Sequence, residues 1–155
     1  MNIEPCLYRE ILKVMPIPCV DIIAIDADRN VLLLRRMNEP AVGQWWFPGG
    51  RVLFNEKRVD AAKRKLKEEC GLVANKFEEV GTYDLFFNIN AGVTIHSITT
   101  LFKVEIALGS SIQIDSQSDE ARLFSSLELL DLNLSSFIYN GIMTCISGID
   151  AANKK

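Results

Sequence analysis

The sequence predicts an α/β fold in which one mixed β-sheet lies between helices, and three observations carry that prediction. Apolar runs of strand length recur along the chain, the apolar spacing switches to three and four between Arg58 and Cys70, and further helical segments precede and follow the strands. Strands with helices before, between and after them bury both faces of a sheet. The 155 residues contain no repeat, low-complexity tract or composition shift, so the chain reads as a single domain over 1–155.

The elements begin with a short helix, Leu7 to Val14. CVDIIAI, Cys19 to Ile25, is a largely buried strand, and VLLLRR follows it across the turn Asp26-Ala27-Asp28-Arg29-Asn30 to make a hairpin. The loop MNEPAVGQ leads to Trp45, Trp46 and Phe47, aromatics that either join the core or stack on a ligand. Pro48-Gly49-Gly50 must turn sharply, because glycine takes backbone angles that other residues avoid. From Arg58 to Cys70, Val59, Ala62, Leu66 and Cys70 form one helical stripe that Gly71 terminates. Strands are expected at Val80 to Phe87, Thr94 to Ile106 and Ala121 to Phe124, and a closing helix at Leu134 to Ile146.

Composition narrows the function. Apolar residues make up 48% and charged residues 24%, as in globular proteins. A net charge of −3 argues against a non-specific nucleic-acid binder, so any phosphate must be met by a focused site. Cys6, Cys19, Cys70 and Cys145 are scattered and form no metal or redox pair, which predicts reduced thiols. No apolar run approaches the roughly 18 residues that span a bilayer, and the start has no cleavable apolar stretch. A cytoplasmic protein without membrane or nucleic-acid partners is the expectation.

The helix carries the chemistry. At about 100° per residue, Arg64, Lys65 and Glu68 fall opposite the apolar stripe, while Glu69 lies at its edge beside Ala62, where a loop could cover it. Gly50, Glu56, Arg64, Leu66, Glu68, Glu69, Gly71 and Leu72 match G-x5-E-x7-R-E-U-x-E-E-x-G-U at eight of nine specified positions over 23 residues, U being a bulky aliphatic residue. This resembles the Nudix box, and the resemblance implies an α/β/α sandwich and a magnesium-dependent hydrolase, with Mn²⁺ as the alternative ion. A glycine turn that brings a backbone carbonyl beside helix carboxylates would supply the hard oxygen donors such an ion takes. Arg64 would pair with Glu56 and brace the loop. Lys65 stands where the family has glutamate: either it removes a ligand and repels a cation, leaving one ion, or it points outward and the other ligands suffice.

From Pro16 to Leu72 the chain is most similar to the GDP-mannose mannosyl hydrolases, through Asp21, the loop RRMNEPAVGQWWFPGG from Arg35 to Gly50, and the R-V after it. By position, the resemblance implies Gly50 and Glu69 as metal ligands and Arg36 and Arg51 as diphosphate ligands. The segment from Asp115 to Phe124 resembles that family's loop before its last strand and adds Gln117 to the metal. Ser118 then stands where the family has a histidine base for attack on the sugar carbon, and a lone hydroxyl is far too weak a base for that role. Glu68, a carboxylate those mannosyl hydrolases lack, offers attack at phosphorus instead. Glu68, Glu69 and Arg36 are therefore the catalytic candidates, and Tyr8, Asp21, Arg36 and Arg51 the substrate-binding ones. Asp21, inside an apolar run, must face Arg36, the substrate or a structural salt-bridge partner. Tyr8 would meet a base either from its own chain or across a homodimer interface. His96, the one histidine, does not align with the missing base and is expected to be structural. Three functions remain open: a hydrolase of a GDP-mannose-like nucleoside diphosphate sugar, a nucleoside triphosphate pyrophosphohydrolase, and a ligand-binding module that has lost catalysis.

Overall fold

The computed structural model of the chain describes residues 3–89 and 93–152; the ends of the expected 1–155 domain lie outside the described residues. Helix α1 spans Pro5–Val14, two residues earlier than the periodicity suggests. Pro5 presets the first helical turn and Glu4 caps it, accepting the Leu7 N–H at 3.0 Å. Strands β1 (Ile17–Ile25) and β2 (Val31–Arg36) follow, then the two short strands β3 (Trp45–Trp46) and β4 (Gly49–Arg51). Helix α2 (Arg58–Cys70) has the predicted bounds, closed by Gly71 at φ 68°, whose N–H bonds to the Lys67 carbonyl. Strands β5 (Glu78–Ile89), β6 (Val93–Glu105) and β7 (Ser118–Phe124) precede helices α3 (Ser126–Leu130) and α4 (Ser136–Ala152).

The sheet is mixed, as expected. β1 runs parallel to β6 from Ile17 beside Ser97 to Ile25 beside Glu105, and every other pairing is antiparallel. Side chains alternate across a strand, which divides the core in two. Val20, Ile22, Ala24, Leu32 and Leu34 meet Ala62, Leu66 and Cys70 of α2, while Ile23, Ile25, Val31 and Leu33 meet Leu129 of α3 and Ile138, Ile142 and Cys145 of α4. The result is an α/β/α sandwich. Burying a leucine such as Leu66 contributes roughly 1.5–3 kcal/mol, so each layer is held mainly by its stripe.

The β1–β2 hairpin pairs only at Ile25 with Val31. Away from the turn, β1 takes β4 and β2 takes β3 as partners, so the strands separate and the WWFPGG segment fills the gap between them. The functional site opens there. Among the described residues no helix is long and apolar enough to cross a membrane.

One expectation about α2 fails. Lys65 is not opposite the apolar stripe but buried at 8% exposure, with Ala61 and Glu69 buried one turn to either side. Residues 61, 65 and 69 form an i, i+4 row adjoining the 62, 66, 70 row, and the turn at Gly50 packs on Lys65. Burial on this helix therefore extends one row further than its apolar residues mark.

Candidate active site

A cavity of about 780 Å³ lies where β1 and β2 part, within the range of small-ligand sites. Asp21, Arg36, Gly50, Arg51 and Tyr8 line it, as do Glu68, Glu69, Gln117 and Ser118. Residues scattered from the first helix to the last strand are thus brought together, while Glu56 is not among those that line the cavity.

Asp21 is carried inward by β1 and is 6% exposed. Its Oδ2 accepts the indole N–H of Trp46 at 3.1 Å, while Arg36, expected near it, lines the same cavity and acts on it through its charge rather than a hydrogen bond. Trp46 was expected as a core or stacking aromatic; it is both buried and Asp21's donor, a pairing across 25 residues. Burial pushes the Asp21 carboxyl up to about 7, against the Trp46 hydrogen bond and the charge of Arg36, which lower it. β4 packs so tightly on this strand that a Cβ at Gly49 would lie 2.0 Å from Asp21 Oδ1 and 2.4 Å from the Val20 carbonyl oxygen. Only glycine fits there.

The expected brace is present. Arg64 donates from Nε and Nη2 to the two oxygens of Glu56 at 2.7 and 2.9 Å, from Nη2 to the Arg51 carbonyl at 3.0 Å, and from Nη1 to Glu68 at 3.1 Å. Glu56 also accepts the Leu53 N–H, and the Arg64 hydrogen bonds hold its carboxyl below the usual range. One arginine therefore fixes the backbone of the loop that carries Arg51. The Arg51 guanidinium in turn lies over the Tyr8 ring, 4.3 Å from its centroid. Tyr8 reaches the cavity from its own chain, so no partner subunit is needed to supply it.

Arg36 is fixed by Nε donating to the Pro40 carbonyl at 2.8 Å. Gln117 donates its side-chain N–H to Asp115 at 2.8 Å, and Ser118 is buried at the start of β7, beside Arg36. Ser97 and Thr99, which sequence reasoning missed, line the cavity from β6 with Ile95. Alternation along a strand puts these three on one face, and polar residues at that period were the available signal. His96 points to the other face, where it bonds Asp84 at 2.9 Å and stacks on Phe86. It is structural.

A model of the NUDIX domain matches residues 15–143. The chain belongs to the Nudix family. It is 32% identical over 120 residues to the low-salt glycan biosynthesis protein Agl8 of Haloferax volcanii, covering 76% of each chain. It is 32% identical over 117 residues to an ADP-ribose pyrophosphatase of Methanocaldococcus jannaschii, covering 76% of this chain and 65% of that one. Among solved structures, the Nudix domain of Shewanella oneidensis NrtR complexed with ADP ribose superposes with a TM-score of 0.74 at 21% identity, over 96% of this chain and 94% of that one. A MutT protein of Methanosarcina mazei Go1 gives 0.72 at 20%, over 92% and 99%. These structural likenesses establish the Nudix fold.

Nudix hydrolases generally use divalent metals, and the Gly50 carbonyl, Glu68, Glu69 and Gln117 have the oxygen chemistry for one. Their arrangement does not fit one. Glu69 Oε2 accepts the Gly49 N–H at 3.0 Å, and Oε1 is ion-paired with the Lys65 ammonium. Burial pushes the Glu69 carboxyl up, with Lys65 opposing. Glu68 is half-exposed and engaged by Arg64. Among the described residues no three His, Cys, Asp or Glu side chains converge into a metal cluster. Of the two expectations for Lys65, the outward-pointing one is overturned: the side chain is turned inward, and its ammonium pairs with the carboxylate assigned to the metal.

Proposed function

We propose that this chain is a single-domain Nudix hydrolase over 1–155 that cleaves a nucleoside diphosphate linked to a sugar, a GDP-mannose-like compound in the first instance. One observation carries the reading: a cavity large enough for such a ligand sets Arg36 and Arg51 beside the Nudix-box carboxylates Glu68 and Glu69. Arginine forks match phosphate oxygens, and both forks are held in place, one by Pro40 and the other over Tyr8. The names of two relatives support the class, since one is an ADP-ribose pyrophosphatase and another was solved with ADP ribose.

In this reading Arg36 and Arg51 bind the diphosphate and stabilise the charge that develops as it leaves. Tyr8, half-buried in the cavity lining, stacks on the base. Asp21 holds Trp46 and through it the wall of the cavity. Glu68, half-exposed and held by Arg64 through Oε2, accepts a proton from the attacking water on Oε1, because Ser118 cannot. The reaction is placed in the cytoplasm.

The test is a screen of GDP-mannose, ADP-ribose, other nucleoside diphosphate sugars and nucleoside triphosphates, with and without Mg²⁺ or Mn²⁺, products being identified by phosphorus NMR. Hydrolysis of a diphosphate sugar is expected. Turnover of triphosphates alone would make the chain a pyrophosphohydrolase of another kind. A second reading, a ligand-binding module without catalysis, is favoured by the Lys65–Glu69 pair; binding of these compounds without turnover would establish it.

A further inference from the structure

We infer that the Lys65 ammonium stands in for a divalent cation and binds the diphosphate itself, so that diphosphate binding by this chain needs no metal ion. The inference rests on the reading above that the cavity receives a diphosphate.

Three observations place the ammonium. Lys65 pairs with Glu69 and lies 3.7 Å from Glu68 Oε2, so it sits between the two carboxylates of the Nudix box. Its side chain is only 10% exposed, yet it lines the cavity. It packs against the turn whose carbonyl was assigned to the metal, since a Cβ at Gly50 would lie 2.8 Å from Lys65 Cε and 3.4 Å from Nζ. Carboxylate, carboxylate and glycine turn thus surround one protein cation.

Both oxygens of Glu69 are already engaged, one by the Gly49 N–H and the other by Lys65, so a metal could bind there only by displacing a buried ion pair. The ammonium can serve in its place. It has three N–H donors, and a point charge on a stem is a common phosphate ligand. Arg36, Arg51 and Arg64 line the same cavity, so with Lys65 four cationic side chains surround the space available to the ligand. Glutamate at this position, as in the family pattern, would leave only the arginines, one of them committed to Glu56 and Glu68, and would add a negative charge for an added ion to balance.

The experiment measures binding without turnover, using ADP as the diphosphate probe by calorimetry and Mn²⁺ by electron paramagnetic resonance. On the inference, the natural protein binds ADP in EDTA within about threefold of its affinity in excess Mg²⁺, Lys65→Gln loses about tenfold or more in EDTA, and Lys65→Arg, which keeps the charge, loses about threefold or less. Lys65→Glu binds Mn²⁺ at least about tenfold more tightly than the natural protein. The inference is overturned if the natural protein binds ADP only with Mg²⁺, which needs no variant to fold. It is equally overturned if Lys65→Gln, with native circular dichroism, keeps its metal-free affinity, or if the natural protein binds Mn²⁺ as tightly as Lys65→Glu. Lys65-dependent binding of ADP in EDTA by a protein that hydrolyses nothing in the screen would uphold this inference and refute the enzymatic reading.

Discussion

Replacing Asp21 by asparagine should stabilise the protein, and increasingly so as pH rises. The carboxyl is buried and pushed up to about 7, whereas in the unfolded chain it titrates near its ordinary value of about 3.9. Below about pH 4 it is protonated in both states and has no pH-linked effect. As pH rises, the unfolded chain ionises first and native stability falls, until the loss levels off above the folded value. At 1.36 kcal/mol per pH unit, about three units give roughly 4 kcal/mol at pH 8. Asparagine cannot ionise, yet its side-chain oxygen can still accept the Trp46 N–H. Asp21→Asn should therefore gain about 4 kcal/mol over the natural protein between pH 4 and pH 8, or about 8–16 °C in Tm for a chain of this size. Urea unfolding at steps of pH, read by tryptophan fluorescence, measures it. A stability difference that stays flat across that range would refute the assignment of a buried, reluctantly charged carboxyl.

Three further outcomes follow from the site. A double-mutant cycle on Arg64→Ala and Glu56→Gln should show coupling of about 1–2 kcal/mol at pH 7. Because Arg64 holds the Glu56 carboxyl below its usual range, that coupling is present above the unfolded value near 4.3 and is lost as pH falls through the folded value; coupling under about 0.5 kcal/mol would remove the brace. Arg36→Ala should lower kcat/KM by about 10²-fold on a nucleoside diphosphate sugar without changing the urea midpoint, and unchanged kinetics would move Arg36 from the substrate to the scaffold. In ¹⁸O water the natural protein should label phosphate rather than sugar, and Ser118→His should raise sugar labelling through general-base help of up to about 10²–10⁴-fold. Label in the sugar alone, unaffected by Ser118→His, would disprove the reading of Ser118 as the lost base.

The sandwich was legible because α2 and the long strands repeat their apolar residues often enough to declare a period. β3 and β4, of two and three residues, are too short to show one, and their places follow from pairing with strands already formed. α3 is only five residues long, yet its signal was present: Ser125 and Glu128 form a capping box, and S-x-x-E can be read directly. The residues that line the cavity were legible as a set: Gly50, Glu68 and Glu69 through the Nudix box, Asp21, Arg36 and Arg51 through the wider resemblance from Pro16 to Leu72, and Gln117 and Ser118 through the loop before β7. The chemistry at Lys65 was not. Which way a lysine at the edge of a stripe points depends on the turn that covers it, and neither the turn's path nor the Asp21–Trp46 bond beneath it is encoded locally.

The parallel edge between β1 and β6 has a consequence for how the chain is made. Residues 17 and 97 pair, 80 positions apart, so the central strand must wait for its neighbour until most of the chain has been synthesised. Its hairpin partner offers little meanwhile, since β1 and β2 share a single residue pair. The apolar stretch Ile22–Ile25 is thus left largely without a strand partner on a growing chain until β6 emerges, an exposed template for wrong pairing until then. Folding should be slow for a domain of this length, with its yield on refolding falling as protein concentration rises.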